Sequence, residues 1–99
     1  MNGYTEDDLL YGSLRIRQPD KGPRVNLDTV LLAAVTKVKK AERFLDLGCA
    51  HGAVALLTAW RHPQAGTIEG LEIQPNLAAM ARENVLRNGF GEGVRIRQG

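Results

Sequence analysis

The fold turns on Asp46-Leu47-Gly48-Cys49-Ala50-His51-Gly52. Ahead of it, Arg43 to Leu47 is a short, mostly apolar run whose glycine-rich exit predicts a buried parallel strand. Behind it, Gly52 to His62 has helical spacing, with Val54, Leu56, Leu57 and Trp60 facing inward and Pro63 as the stop. The pattern then repeats. Thr67 to Ile73 reads as a second strand, and Pro75 suits the first position of a helix that runs to about Asn88. Gly89 ends that helix, whose expected apolar face is Leu77, Met80, Ala81, Val85 and Leu86. Gly93 to Gln98 is a third strand.

Upstream, Leu14 to Gln18 alternates apolar and polar residues, and Pro19-Asp20-Lys21-Gly22 is a strong turn signal before Pro23 to Asn26. Residues 14–25 therefore read as a small hairpin, and residues 1–12 as a loose start in which Leu9, Leu10 and Tyr11 dock on something. From Asn26 the period becomes helical. Val30, Leu31, Ala34, Val35 and Val38 share a face, Asn26 or Asp28 caps the start, and Lys37, Lys39 and Lys40 sit in the last turns of a helix over about 27–39.

Alternating strands and helices predict an α/β fold with a parallel sheet and right-handed crossovers. The expected architecture is the first half of a Rossmann-like doubly wound sheet, strand order 3-2-1, preceded by a short hairpin and a helix. Residues 1–26 form an N-terminal segment with the basic hairpin, and residues 27–99 the N-terminal half of a ligand-binding domain.

Composition narrows the function. The 99 residues are 43% hydrophobic and 24% charged, with a net charge of +2, which is ordinary for a globular chain and excludes disorder, collagen and coiled coil. One cysteine rules out an internal disulfide, and no Cys/His cluster has metal-ligand spacing. No apolar run approaches the roughly 18 residues of a membrane span. The acidic N-terminus (Glu6, Asp7, Asp8) does not read as a targeting peptide, so a cytoplasmic setting is expected.

In such a sheet, ligands bind at the carboxyl ends of the strands beside the first one. Small residues at 48, 50 and 52 let a ligand approach the backbone, and Glu72, 20 residues beyond Gly52, stands where a carboxylate accepts ribose hydroxyls. That points to an adenosine-containing ligand. A dinucleotide fingerprint would place its third glycine one residue later, and Asp46 beside a phosphate would be repulsive. Beside a cationic amine it would be stabilising. S-adenosylmethionine, with an amine and a sulfonium and no phosphate, fits better than NAD.

These residues resemble a known family. Asp46 to Gly52 looks like the first motif of class I S-adenosylmethionine-dependent methyltransferases, Gly70-Leu71-Glu72-Ile73 like their second, and Ala81-Arg82-Glu83-Asn84 through Asn88-Gly89 like the helix that follows. Asn26-Leu27-Asp28-Thr29-Val30-Leu31-Leu32-Ala33 is similar to the small-domain subgroup, especially the tRNA (valine) adenine-N6 methyltransferases. The resemblance implies that Asp46 anchors the cofactor amine, Gly48, Ala50 and Gly52 border the cofactor, Glu72 holds the ribose and Ile73 packs near the adenine. Asp28 would help close the methionine end. Ala50 departs from the middle glycine of the motif.

The resemblance also implies that an acid after the third strand and an Asn-Pro-Pro-Tyr-type motif lie beyond Gly99, so the chain reads as an N-terminal fragment without catalytic residues, inactive alone. The implied activity is methyl transfer to an adenine N6 of tRNA, with Arg15, Arg17, Lys21 and Arg24 as possible phosphate contacts. Alternatives are methylation of another nucleobase or of a protein glutamine, and a non-catalytic module binding S-adenosylmethionine or RNA. Cys49 and His51 read as loop residues. A first strand left at the sheet edge predicts self-association.

Overall fold

The computed structural model describes residues 3–9 and 12–99. In chain order the elements are β1 (Tyr4–Leu9), β2 (Leu14–Pro19), α1 (Leu27–Val35), β3 (Arg43–Leu47), α2 (Ala53–Arg61), β4 (Thr67–Glu72), α3 (Pro75–Arg87) and β5 (Val94–Gln98). Strands β3, β4 and β5 form a parallel sheet in the order β3-β4-β5, as the alternation predicts. The register places Phe44 beside Ile68 and Ile68 beside Val94. These side chains share the face that packs against Ala55, Leu56 and Val85 of the two crossover helices. The opposite face carries Leu45 and Leu47, exposed by 56% and 69%. Among the described residues no helix is long and apolar enough to cross a membrane.

The hairpin forms upstream of its expected position. β2 pairs antiparallel with β1, the segment read as a loose start. Acidic residues are poor strand formers, but the register sets Glu6 opposite Arg17 and Asp8 opposite Arg15, so opposite charges face each other across the ladder. Asp8 and Arg15 close to 3.0 Å. Pro19 to Gly22 ends β2 instead of turning it back. Leu9 packs against the core as expected, whereas Leu10 and Tyr11 lie outside the described residues.

Helix α1 begins on a capping box between Asn26 and Thr29, which leaves no capping role for Asp28. It ends at Val35, four residues before its expected end, because its last carbonyls are taken from outside. Arg61 of α2 donates to the carbonyls of Ala33, at 3.0 Å, and Ala34, and the His62 ring meets that of Thr36 at 3.0 Å. Lys37, Lys39 and Lys40 thus lie beyond the helix. The expected inward face is also corrected, since Val30, Leu31 and Val35 are exposed and only Ala33 of α1 is buried. Leu27 to Val35 is apolar nearly all round, so periodicity could not select a side. Trp60 and Leu86, expected inside, are 44% and 71% exposed. Helix α3 closes as predicted, with the N–H of Gly89 donating to Leu86 and that of Phe90 to Val85, a complete Schellman motif.

Candidate functional site

The turn from β3 to α2 builds the site. Gly48 (φ +67°), Ala50 (φ +50°) and Gly52 (φ +91°) all adopt left-handed backbone, which explains small residues at alternate positions. Ala50 holds this conformation despite its Cβ, a strain of roughly 1–2 kcal/mol. Gly52 has a second reason to be glycine, because a Cβ there would sit 3.3 Å from the Cβ of Ala81 on α3. In β4 the constraint is contact alone. A Cβ on Gly70 would lie 2.7 Å from Cys49 Sγ, so Gly70 makes room for the loop to fold back over the sheet.

Two backbone ties hold that fold-back. The N–H of Cys49 donates to the carbonyl of Leu71 at 3.0 Å, and the N–H of Gly52 to that of Cys49 at 2.8 Å. Glu72 supplies a third. Its buried carboxylate accepts the Ala50 N–H at 2.8 Å through Oε1 and the Gln74 N–H at 2.9 Å through Oε2. The acid at the second strand tip therefore clamps the loop of the first.

A cleft of about 250 Å³ opens above the loop. Asp46, Gly48 and Ala50 line it, with His51, and its far wall is Pro23, Arg24, Thr29 and Leu32 from the segment after the hairpin and from α1. That wall was invisible in the local pattern. Gly52 lies at the root of α2, Glu72 beneath the loop, and Ile73, the residue after β4, is 73% exposed. The expected set thus converges on one strand-end region, with Asp46, Gly48 and Ala50 on the cleft surface. Asp28 is exposed and does not line the cleft.

The electrostatics define what the cleft lacks. Asp46 Oδ2 is shut away from solvent without a hydrogen-bond partner, and burial pushes the carboxyl up to about 6. A ligand bringing a cationic donor would supply that partner, so the donor set fits an amine. Cys49 is no nucleophile, because burial first and then the charges of Asp46 and Glu72 push its thiol up to about 12. Burial and the neighbouring Arg24 hold the His51 imidazolium acid low, which keeps the ring neutral. Among the described residues no group of three or more His, Cys, Asp or Glu could hold a metal.

The basic residues suggested as phosphate contacts are mostly engaged internally. Arg15 pairs with Asp8 at 3.0 Å, Arg17 with Glu83 at 2.7 Å, and Arg24 reaches Thr5 Oγ1 at 3.0 Å and the Pro19 carbonyl at 2.6 Å. Arg24 also faces the cleft rather than the outer surface of the hairpin. Of the four, Lys21 alone has no ion pair among the described residues.

The family model described as O-methyltransferase matches residues 24–99, which carry the loop, both strand-end acids and all of the cleft lining but Pro23. The chain belongs to the O-methyltransferase family. It is 39% identical over 75 residues to the tRNA1(Val) (adenine(37)-N6)-methyltransferase of Yersinia enterocolitica, covering 76% of this chain and 30% of that protein. The protein of the same name from Actinobacillus pleuropneumoniae is 34% identical over 76 residues, covering 77% and 32%. This chain thus spans about a third of the length of these curated relatives. An RNA methyltransferase from Salinibacter ruber, solved in complex with S-adenosyl-L-homocysteine, superposes with a TM-score of 0.66 at 27% identity, covering 79% of this chain and 50% of that one. A SAM-dependent methyltransferase from Agrobacterium tumefaciens reaches 0.71 over 97% of this chain and 32% of its own, and at 16% identity it shows the shared fold alone.

Proposed function

We propose that this chain forms the S-adenosylmethionine-binding half of a methyltransferase whose acceptor is an exocyclic adenine nitrogen of tRNA. The observation that carries the cofactor reading is the buried, partnerless oxygen of Asp46 in a cleft floored by left-handed backbone. Asp46 would bind the amine of the methionine part, and the pairing gained there offsets the burial that pushes its carboxyl up to about 6. Gly48, Ala50 and Gly52 would pass their backbone close along the cofactor. Glu72 spends one lone pair per oxygen on the loop and α3, leaving the others for ribose hydroxyls. Ile73 would be covered by the adenine. The cofactor supplies a methyl on a sulfonium, already a good leaving group, so the protein's task is chiefly placement.

The acceptor reading rests on the Yersinia and Actinobacillus relatives, both named for adenine N6. The family description speaks of oxygen acceptors, whereas these two relatives are named for a nitrogen acceptor, and the adenine reading follows the relatives. A cytoplasmic setting goes with a tRNA acceptor. Given the internal pairing of Arg15, Arg17 and Arg24, tRNA contacts from this chain would centre on Lys21 and the exposed guanidinium of Arg15.

Calorimetric titration with S-adenosylhomocysteine tests the cofactor reading. Asp46→Ala and Glu72→Ala should each weaken binding by about tenfold or more, as expected for lost charge-assisted bonds. Unchanged affinity in both, with the fold intact by circular dichroism, would refute it.

A further inference from the structure

The buried amide of Asn84, on α3, ties that helix to two other parts of the protein at once. Its side chain is 0% exposed. Oδ1 accepts the Arg17 N–H at 2.7 Å, and Nδ2 donates to the Arg17 carbonyl and to the His51 carbonyl, both at 2.8 Å. One residue of α3 therefore pairs with the free edge of β2 and grips the cofactor loop one position before Gly52.

One turn later Asn88 repeats only the hairpin half. Its Oδ1 accepts the Arg15 N–H at 2.8 Å, and Nδ2 donates to the Arg15 carbonyl at 2.7 Å and to the Asn84 carbonyl at 2.7 Å. The repeat works because four helical residues rise about 6 Å and two strand residues about 6.6 Å. Two asparagines on one helix face can thus serve alternate residues of a strand edge. The hairpin is held to α3 as though the helix were a third strand.

The loop is strained at Ala50 (φ +50°), and two buried side chains grip the backbone on either side of it. Glu72 takes the N–H of Ala50 and Asn84 the carbonyl of His51. Releasing either frees the backbone that borders the cleft.

We infer that Asn84 is a positioning residue for the cofactor loop and links it to the N-terminal hairpin, so that ligand at the loop tightens the hairpin and a docked hairpin raises ligand affinity. The linkage is reciprocal by thermodynamic necessity. It deepens the cofactor reading above and depends on it.

Backbone amide exchange on the unaltered 99-residue chain, with and without S-adenosylhomocysteine, is the first test. The ligand should protect Ala50 and Gly52, and also Arg15 and Arg17 of β2. Protection of the loop without any response in β2 overturns the linkage and leaves the cofactor reading standing. Protection nowhere overturns both.

Titration of two variants is the second test. Asn84→Ala should weaken S-adenosylhomocysteine binding about tenfold, while Asn88→Ala, which removes as many bonds to β2 and none to the loop, should weaken it only about threefold, the share that comes through hairpin docking alone. The stoichiometry reports the folded fraction separately from Kd. Equal affinities in the two variants would defeat the positioning role, and if Asn84→Ala does not fold, the exchange experiment decides alone.

Discussion

Asp46 carries the sharpest chemical consequence. Burial raises its carboxyl from 3.8 to about 6, so the folded chain binds a proton more readily than the unfolded one between those values. Its ionised form is therefore a burden on the unliganded fold above about pH 6, and the burden fades as pH falls toward 4. Asp46→Asn should stabilise the unliganded protein at pH 8 by about 1–2 kcal/mol, read as a higher urea midpoint, and the gain should vanish near pH 4. The same substitution should abolish the preference for a cationic amine. Wild-type affinity for S-adenosylhomocysteine should drop as pH is lowered through about 6, which titrations at pH 5 and pH 8 would show. Ala50 gives a second expectation. Replacing it with glycine relieves roughly 1–2 kcal/mol of left-handed strain at a chain-entropy cost of roughly 0.5–1 kcal/mol. Ala50→Gly should therefore be mildly stabilising in a thermal melt, where most changes in a binding loop destabilise. The loop was legible in the sequence because its requirement is local, with small residues at every left-handed position. Asn84 was not, since its partner Arg17 is 67 residues away and an asparagine on a helix has no distinctive spacing.

Among the elements, α1 shows how far periodicity reaches. Its start followed from Asn26, one of the two caps read from the sequence, which closes a capping box with Thr29 three residues on. Its end did not, because the residue that caps it is Arg61, at the far end of α2. Arg61→Ala should leave the last carbonyls of α1 to water and cost about 1 kcal/mol, read as a lower urea midpoint. Lys37→Ala and Lys40→Ala, in residues read from the sequence as helix-ending cations, should cost nothing measurable, because these residues stand outside the helix. The hairpin teaches a related lesson. Pro19-Asp20-Lys21-Gly22 has turn chemistry, yet β2 pairs with the acidic stretch before it, since opposed charges at Glu6/Arg17 and Asp8/Arg15 favour that register. Turn propensity was outweighed by a cross-strand pattern that becomes visible only once the partner is known.

Taken together, the three-stranded sheet is covered on one side only. Leu45 and Leu47 are exposed on the other, and β3 is an edge strand among the described residues. Apolar exposure beside an unpaired edge favours association. Sedimentation velocity on the 99-residue chain should show mass rising with concentration, and Leu45→Lys with Leu47→Lys should suppress it. A concentration-independent monomer would contradict this. The ion pairs on that face, Glu69 with Arg43 at 3.3 Å and with Arg97 at 3.2 Å, are exposed on the arginine side and contribute little against it.

Strand order, crossover helices and the two acids at neighbouring strand tips all followed from residue order, because a βαβ unit is written in consecutive segments and its ligand loop lies between two of them. Tertiary structure alone decided which side of α1 is buried, where the hairpin pairs, what ends α1 and which residues wall the cleft. Each of these depends on hydrogen-bonding groups and apolar surfaces that lie far apart along the chain, and a backbone carbonyl or a uniformly apolar helix carries no local mark of the partner that will cover it.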